Sequence, residues 1–196
     1  MKPVFTSSLC VVSFAAAALL SGTVAAVAEE SPLWAEVGGW DVRIDRTLND
    51  GCFAIAYYEG GSVFRIGLNM IDRSGYVVVG NTNWKSLEEG KEYDIRFQFG
   101  NEEPWDAVAE VFAGKNLMAR FEDPDFLHEF AKKHTVRVFY RNKEIAGLKL
   151  KGSYKALREV LSCQEAITEA SNSGPDKRRD PFRPDRVSPA TDPFAY

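Results

Sequence analysis

Between Trp40 and Leu150 apolar and polar side chains alternate with a period of two, so each segment divides between a buried face and a wet one. In the stretch Glu92–Phe99, Tyr93, Ile95, Phe97 and Phe99 fall on one side while Glu92, Asp94, Arg96 and Gln98 fall on the other. Within residues 62–70, Phe64, Ile66, Leu68 and Met70 oppose Arg65 and Asn69. Trp40, Val42 and Ile44 oppose Asp41, Arg43 and Asp45 in the same way, and Val136, Val138 and Tyr140 repeat the rule. Segments 52–59, 76–80, 107–112, 117–122 and 144–150 complete a set of about nine predicted strands. Gly60-Gly61 supplies the positive φ of a tight hairpin between two of them, and Asn142-Lys143 is expected to close a second hairpin before Glu144.

Two helices interrupt or end this pattern. Asp123 offers a capping carboxylate, Pro124 fits the first helical position, and Phe126, Leu127, Phe130 and Ala131 then recur at helical spacing. Ser153 is expected to cap the second helix, which carries Ala156, Val160 and Cys163 at i, i+4 and i+7. That spacing puts the thiol on the stripe facing the sheet. The expected fold is a β-rich α+β domain, an antiparallel β-sandwich or partly open barrel of about nine strands with one short helix and a C-terminal helix.

The ends read differently from the body. Lys2, the apolar run 9–20 and Ala26-Val27-Ala28 form the three regions of a secretory signal peptide, predicting a leader over residues 1–28 and a periplasmic or secreted product. Of three cysteines only Cys52 and Cys163 would survive cleavage, and an even pair in an oxidising compartment predicts one disulfide. Residues 29–168 then make a single domain. After Thr168, Ser, Pro, Asp and Arg dominate without periodicity, so residues 169–196 are expected to form a disordered tail. Asp180-Pro181-Phe182 recurs there as Asp192-Pro193-Phe194, beside a basic cluster that includes Lys177, Arg178 and Arg179.

Composition narrows the function. The 196 residues are 45% hydrophobic and 27% charged, as in globular proteins, and no stretch outside the leader is long and apolar enough to span a bilayer. The formal net charge is −4, and losing Lys2 with the leader makes it one unit more negative. This argues against nucleic acid as a partner, because general polyanion binding needs concentrated positive charge.

The sequence carries no catalytic, cofactor-binding or metal-binding set. His128 and His134 stand six apart, not the four that would present two imidazoles on one helical face for zinc. Gly60-Gly61-Ser62 sits in a hairpin, where no nucleophile elbow forms. Asp41, Asp45, Glu92 and Asp94 project from wet strand faces, where two carboxylates at the right separation would suit a glycosidase. Arg43, Arg65, Arg96 and Arg137 also project outward, to bind an anion or, as the interleaved acids suggest, to form cross-strand ion pairs. Trp34, Trp84 and Trp105 fall outside strand interiors, as a ligand face that stacks on a sugar or anchors a protein, or as plugs at the core edge.

The chain resembles small exported proteins of proteobacteria that have no assigned activity. The resemblance rests on Gly39-Trp40-Asp41-Val42, Gly51-Cys52-Phe53, Asn81 with Trp84-Lys85-Ser86-Leu87, Gly90-Lys91-Glu92-Tyr93, and Leu148-Lys149-Leu150-Lys151-Gly152-Ser153 with Ala156-Leu157 and Cys163. The closing strand, Gly-Ser turn and helix also look like the end of the invasion-associated locus B proteins. What the resemblance implies is an exported β-rich domain stapled between an early strand and the last helix. The expected role is noncatalytic binding of an envelope protein, a glycan or a small ligand. An inhibitor or virulence-associated factor acting on another protein is the alternative, and a carboxylate-dependent hydrolase the third class.

Overall fold

The computed structural model describes residues 31–173. The expected leader, and the repeated Asp-Pro-Phe motif and basic cluster of the tail, lie outside the described residues. Ten strands are present: β1 (Leu33–Val37), β2 (Trp40–Asp45), β3 (Gly51–Tyr57), β4 (Ser62–Asn69), β5 (Ser74–Asn81), β6 (Glu92–Phe99), β7 (Trp105–Phe112), β8 (Asn116–Phe121), β9 (Thr135–Tyr140) and β10 (Lys143–Lys149). Helix α1 covers Pro124–Lys132 and helix α2 covers Ser153–Ser173. All ten strands join one antiparallel sheet in the order β1-β2-β3-β4-β5-β8-β7-β6-β9-β10.

The expected sandwich is therefore corrected to a single sheet that no ladder closes. Period-two alternation reveals which face of each strand is buried but not whether two sheets or one curled sheet buries it. Here the sheet buries its inner face on itself, on α1 and, at β1 to β3, on α2. Phe130 meets Trp40 of β2 at 5.4 Å and Phe64 of β4 at 5.9 Å between ring centroids. Phe126 meets Phe99 of β6 at 5.0 Å and Phe121 of β8 at 4.5 Å. In a flat sheet β2 and β6 would stand about 29 Å apart, six spacings of roughly 4.8 Å. Phe126 and Phe130 are one helical turn apart, so the sheet has to curl around α1 to reach both. At one corner its ends approach: Trp40 Nε1 donates to the Lys151 carbonyl at 2.9 Å, and Tyr58 Oη donates to the Lys149 carbonyl at 2.9 Å.

Local signals explain the connections. Asp123 caps α1 by accepting from the Asp125 amide, with Pro124 at the first position. The Gly60-Gly61 hairpin forms, both glycines having positive φ. The second hairpin turns one residue earlier than expected: Arg141 and Asn142 take φ of 48° and 62°, and Lys143 already pairs with Tyr140. Ser153 does not cap α2. Its hydroxyl donates to the Ala131 carbonyl at 3.4 Å, while the Gly152 carbonyl accepts from Ala156. The helix itself runs five residues beyond Thr168, to Ser173.

Helix α2 packs across β1, β2 and β3 and against α1. Its apolar stripe carries Ala156, Val160 and Cys163, all buried, as the spacing predicts. Cys163 is disulfide-bonded to Cys52 at the start of β3, with Cα atoms 6.1 Å apart and a sequence separation of 111. Beside the bridge, Gln164 Oε1 accepts from the buried Cys52 amide at 2.9 Å, so backbone and side chain fasten the same strand to the same helical turn. A closed loop of this length restricts the unfolded chain by about 4 to 5 kcal/mol on the chain-entropy model. Cys163→Ser is expected to lower unfolding free energy by a comparable amount in urea titration. The unreduced, unfolded wild-type domain should show neither Cys52 nor Cys163 reactive to a thiol reagent, and two reactive groups would contradict the bridge.

Candidate functional site

The outer face of the sheet carries a second, smaller apolar cluster of Phe53, Tyr76 and Val78, edged by Leu48, Ile55, Phe112 and Met118. Arg65 lies over it. Its guanidinium carbon sits 3.6 Å from the centroid of the Phe53 ring, Nε donates to Tyr76 Oη at 2.7 Å, and Nη2 pairs with Asp45 Oδ2. The pair spans β2 to β4 across β3, a longer reach than the cross-strand ion pair predicted from alternation. Asp45 also accepts from the Thr47 amide at 2.9 Å and from the Thr47 hydroxyl at 2.6 Å. Burial pushes the Asp45 carboxyl up, but the Thr47 hydroxyl, the Arg65 hydrogen bond and charge and the Thr47 amide outweigh it and hold it below the usual carboxylate range. Burial raises the Tyr76 hydroxyl well above the ordinary tyrosine value, the Arg65 charge opposing only in part. The network is spent on itself: a neutral phenol, a satisfied carboxylate and a stacked guanidinium tie three strands together.

Farther along the same sheet, the wet sides of β7, β6 and β9 form an open groove of about 520 Å³ lined by Asp94, Arg96, Asp106, Val108, Phe139 and Arg141, among others. Cross-strand register builds it, because Arg96 faces both Asp106 and Phe139, and Asp94 faces Val108. Arg96 lies 5.7 Å from the Phe139 ring centroid and donates to Asn142 Oδ1 at 2.8 Å, so the early hairpin turn holds one end of the groove. Val108, on the flanking strand β7, is 55% exposed.

The three tryptophans are not brought together by any ring contact among the described residues. Trp34 lies in β1 and is 41% exposed. Trp84, in the β5–β6 connection, packs against the main core. Trp105 opens β7, packs edge-on against Phe126 at 5.7 Å and donates from Nε1 to Glu129 Oε2 at 2.9 Å. Trp34 and Trp105 are thus on strands rather than in loops. Asp41 pairs with Arg43 at 3.0 Å, and Arg137 donates to Gln98 Oε1 at 2.8 Å. Ser62 Oγ accepts from Asn81 at 2.8 Å within the hairpin. Among the described residues no group of His, Cys, Asp and Glu side chains is placed to hold a metal, no helix is long and apolar enough to cross a membrane, and every buried side-chain polar atom has a partner.

No family model and no curated protein matches the chain. Among solved structures it is similar to invasion associated protein B from Bartonella henselae, with 12% sequence identity and a TM-score of 0.49 over 67% of this chain and 97% of that one.

A folded-state pKa held low means that the Asp45 carboxylate contributes stability above its unfolded value near 3.9, and that this contribution is lost as pH falls through the lower folded value. Asp45→Asn is expected to cost about 3 to 5 kcal/mol at neutral pH by leaving Arg65 buried without its counter-charge. In urea titrations at a series of pH values the deficit should shrink below about pH 4. A pH-independent deficit would contradict the assignment.

Proposed function

We propose that the protein is an exported, noncatalytic binding protein of the bacterial envelope and that the β7-β6-β9 groove is its recognition surface for another protein. The observation that carries this is the composition of the groove. Asp94 and Arg96 stand on its middle strand, with the exposed Val108 and Asp106 on one flanking strand and the half-buried Phe139 on the other, so apolar and charged groups are mixed over one open face as in a protein interface. An open depression of this kind suits a protein surface better than a small molecule, which favours enclosure. The Cys52–Cys163 bond supports residence in an oxidising compartment, the periplasm or the exterior, because such bonds rarely persist in the cytosol.

An inhibitor or virulence-associated factor would use the same groove against its target, so the two protein-binding readings share one test. Val108 faces solvent, and Val108→Glu should leave the thermal midpoint within a few degrees. The same variant should abolish retention of whichever envelope protein the wild-type chain captures from extract. Equal retention by wild type and variant would reject the groove. Turnover on a glycan panel, lost on Asp94→Asn or Asp106→Asn, would instead establish the hydrolase.

A further inference from the structure

At the opposite end of β9 from the groove lies a second cavity, of about 670 Å³, where the end of α1, the end of β10 and the start of α2 converge. Lys132, Lys133, His134, Lys149, Lys151 and Lys155 line it, and no carboxylate does. In a chain with 28 acidic residues against 24 lysines and arginines, that segregation concentrates one sign of charge at one place. Lys133 reaches out of the cavity to Glu102, whereas Lys132, Lys149, Lys151 and Lys155 have no carboxylate partner among the described residues. All four are exposed to solvent.

The cavity has a firm backbone. Leu150 donates its amide to the His134 carbonyl at 2.8 Å, which ties the chain after α1 to the chain before α2. Gly152, at φ 84°, packs so closely on Gly38 that a Cβ there would stand 2.4 Å from the Gly38 carbonyl oxygen, so this corner admits only glycine. Tyr154, also in the lining, is 57% exposed. The first residues of the 21-residue α2 border the same space, and their partial positive charge adds to that of the lysines.

We infer that this cavity is a binding site for a phosphate group, with Lys132, Lys149, Lys151 and Lys155 as its counter-charges and Tyr154 against the organic body that bears it. Several flexible ammonium donors around one opening suit the tetrahedral oxygens of a phosphate better than a planar carboxylate, which favours a bidentate guanidinium. The phosphate is that of an anionic lipid headgroup or of a soluble phosphate compound, and the site differs from the protein-binding groove in place and in charge.

The test uses the purified chain with two probes: vesicles of phosphatidylglycerol mixed with phosphatidylcholine, against phosphatidylcholine alone, and inorganic phosphate followed by calorimetry. The pocket variant Lys151→Glu/Lys155→Glu is compared with Lys85→Glu/Lys115→Glu, which has the same net charge but alters exposed lysines elsewhere. Lys151→Gln/Lys155→Gln serves if reversal disturbs folding, as read by the thermal midpoint. Binding to phosphatidylglycerol vesicles that falls about tenfold or more in the pocket variant and not in the control supports the site with a lipid source. Saturable binding of inorganic phosphate with the same variant pattern, and no difference between vesicles, supports it with a soluble source. Binding of neither probe, or equal losses in both variants, overturns the inference.

Discussion

The contact on which the fold depends is the insertion of Phe126 and Phe130 into the concave side of the sheet. Six aromatic rings from five strands converge on these two side chains of a nine-residue helix. A helix this short has little stability of its own in water. It persists because the Asp123 cap and Pro124 start it and because its apolar side is enclosed. The dependence is mutual: a sheet whose inner face is lined with Phe, Val, Ile and Ala over ten strands has to bury that face, and curling around a central helix does so without a second sheet.

The curl also sets where the surface features lie. It brings the β1–β2 turn against the start of α2, where Gly38 meets Gly152, and so forms one wall of the lysine-lined cavity. Helix α2 and the disulfide then fasten the first three strands on the same inner side, because Cys52 pairs with Ile44 and shares the face of Trp40 and Val42. The reverse of the sheet remains available for charged side chains, and only where Phe53, Tyr76 and Val78 crowd together does it need a cover, which Arg65 supplies.

Much of this was legible in the order of residues, and what was not has physical causes. Apolar patterning located the nine strands from β2 to β10, with clear alternation in β2, β4, β6 and β9, and helical spacing put Cys163 inward toward Cys52. Strand β1 escaped because Leu33 and Trp34 are both exposed on an edge, so no alternation marks it. The three consecutive valines of β5 belong to a strand buried on both faces, a case in which periodicity vanishes. Arg65 followed the polar phase of β4 and was read as wet, since a one-dimensional pattern cannot show a small core growing on the outer side. The cavity was hidden for another reason. Its lysines are distributed across the ends of three elements and interrupted by β9 and β10, so no local run of charge announces it. The groove likewise exists only through register, which places Asp94 beside Val108 and Arg96 beside Phe139.

The central claim is that α1 holds the sheet curled. The most direct measurement is the unfolding free energy of Phe130→Ala by urea titration, paired with hydrogen exchange of the β2 and β4 amides. Because Phe130 is fully buried between Trp40 and Phe64, a loss of about 3 to 5 kcal/mol is expected, with faster exchange in both strands. A loss under about 1 kcal/mol, far below the usual cost of emptying an aromatic site, with exchange unchanged, would show that the sheet keeps its shape without the helix.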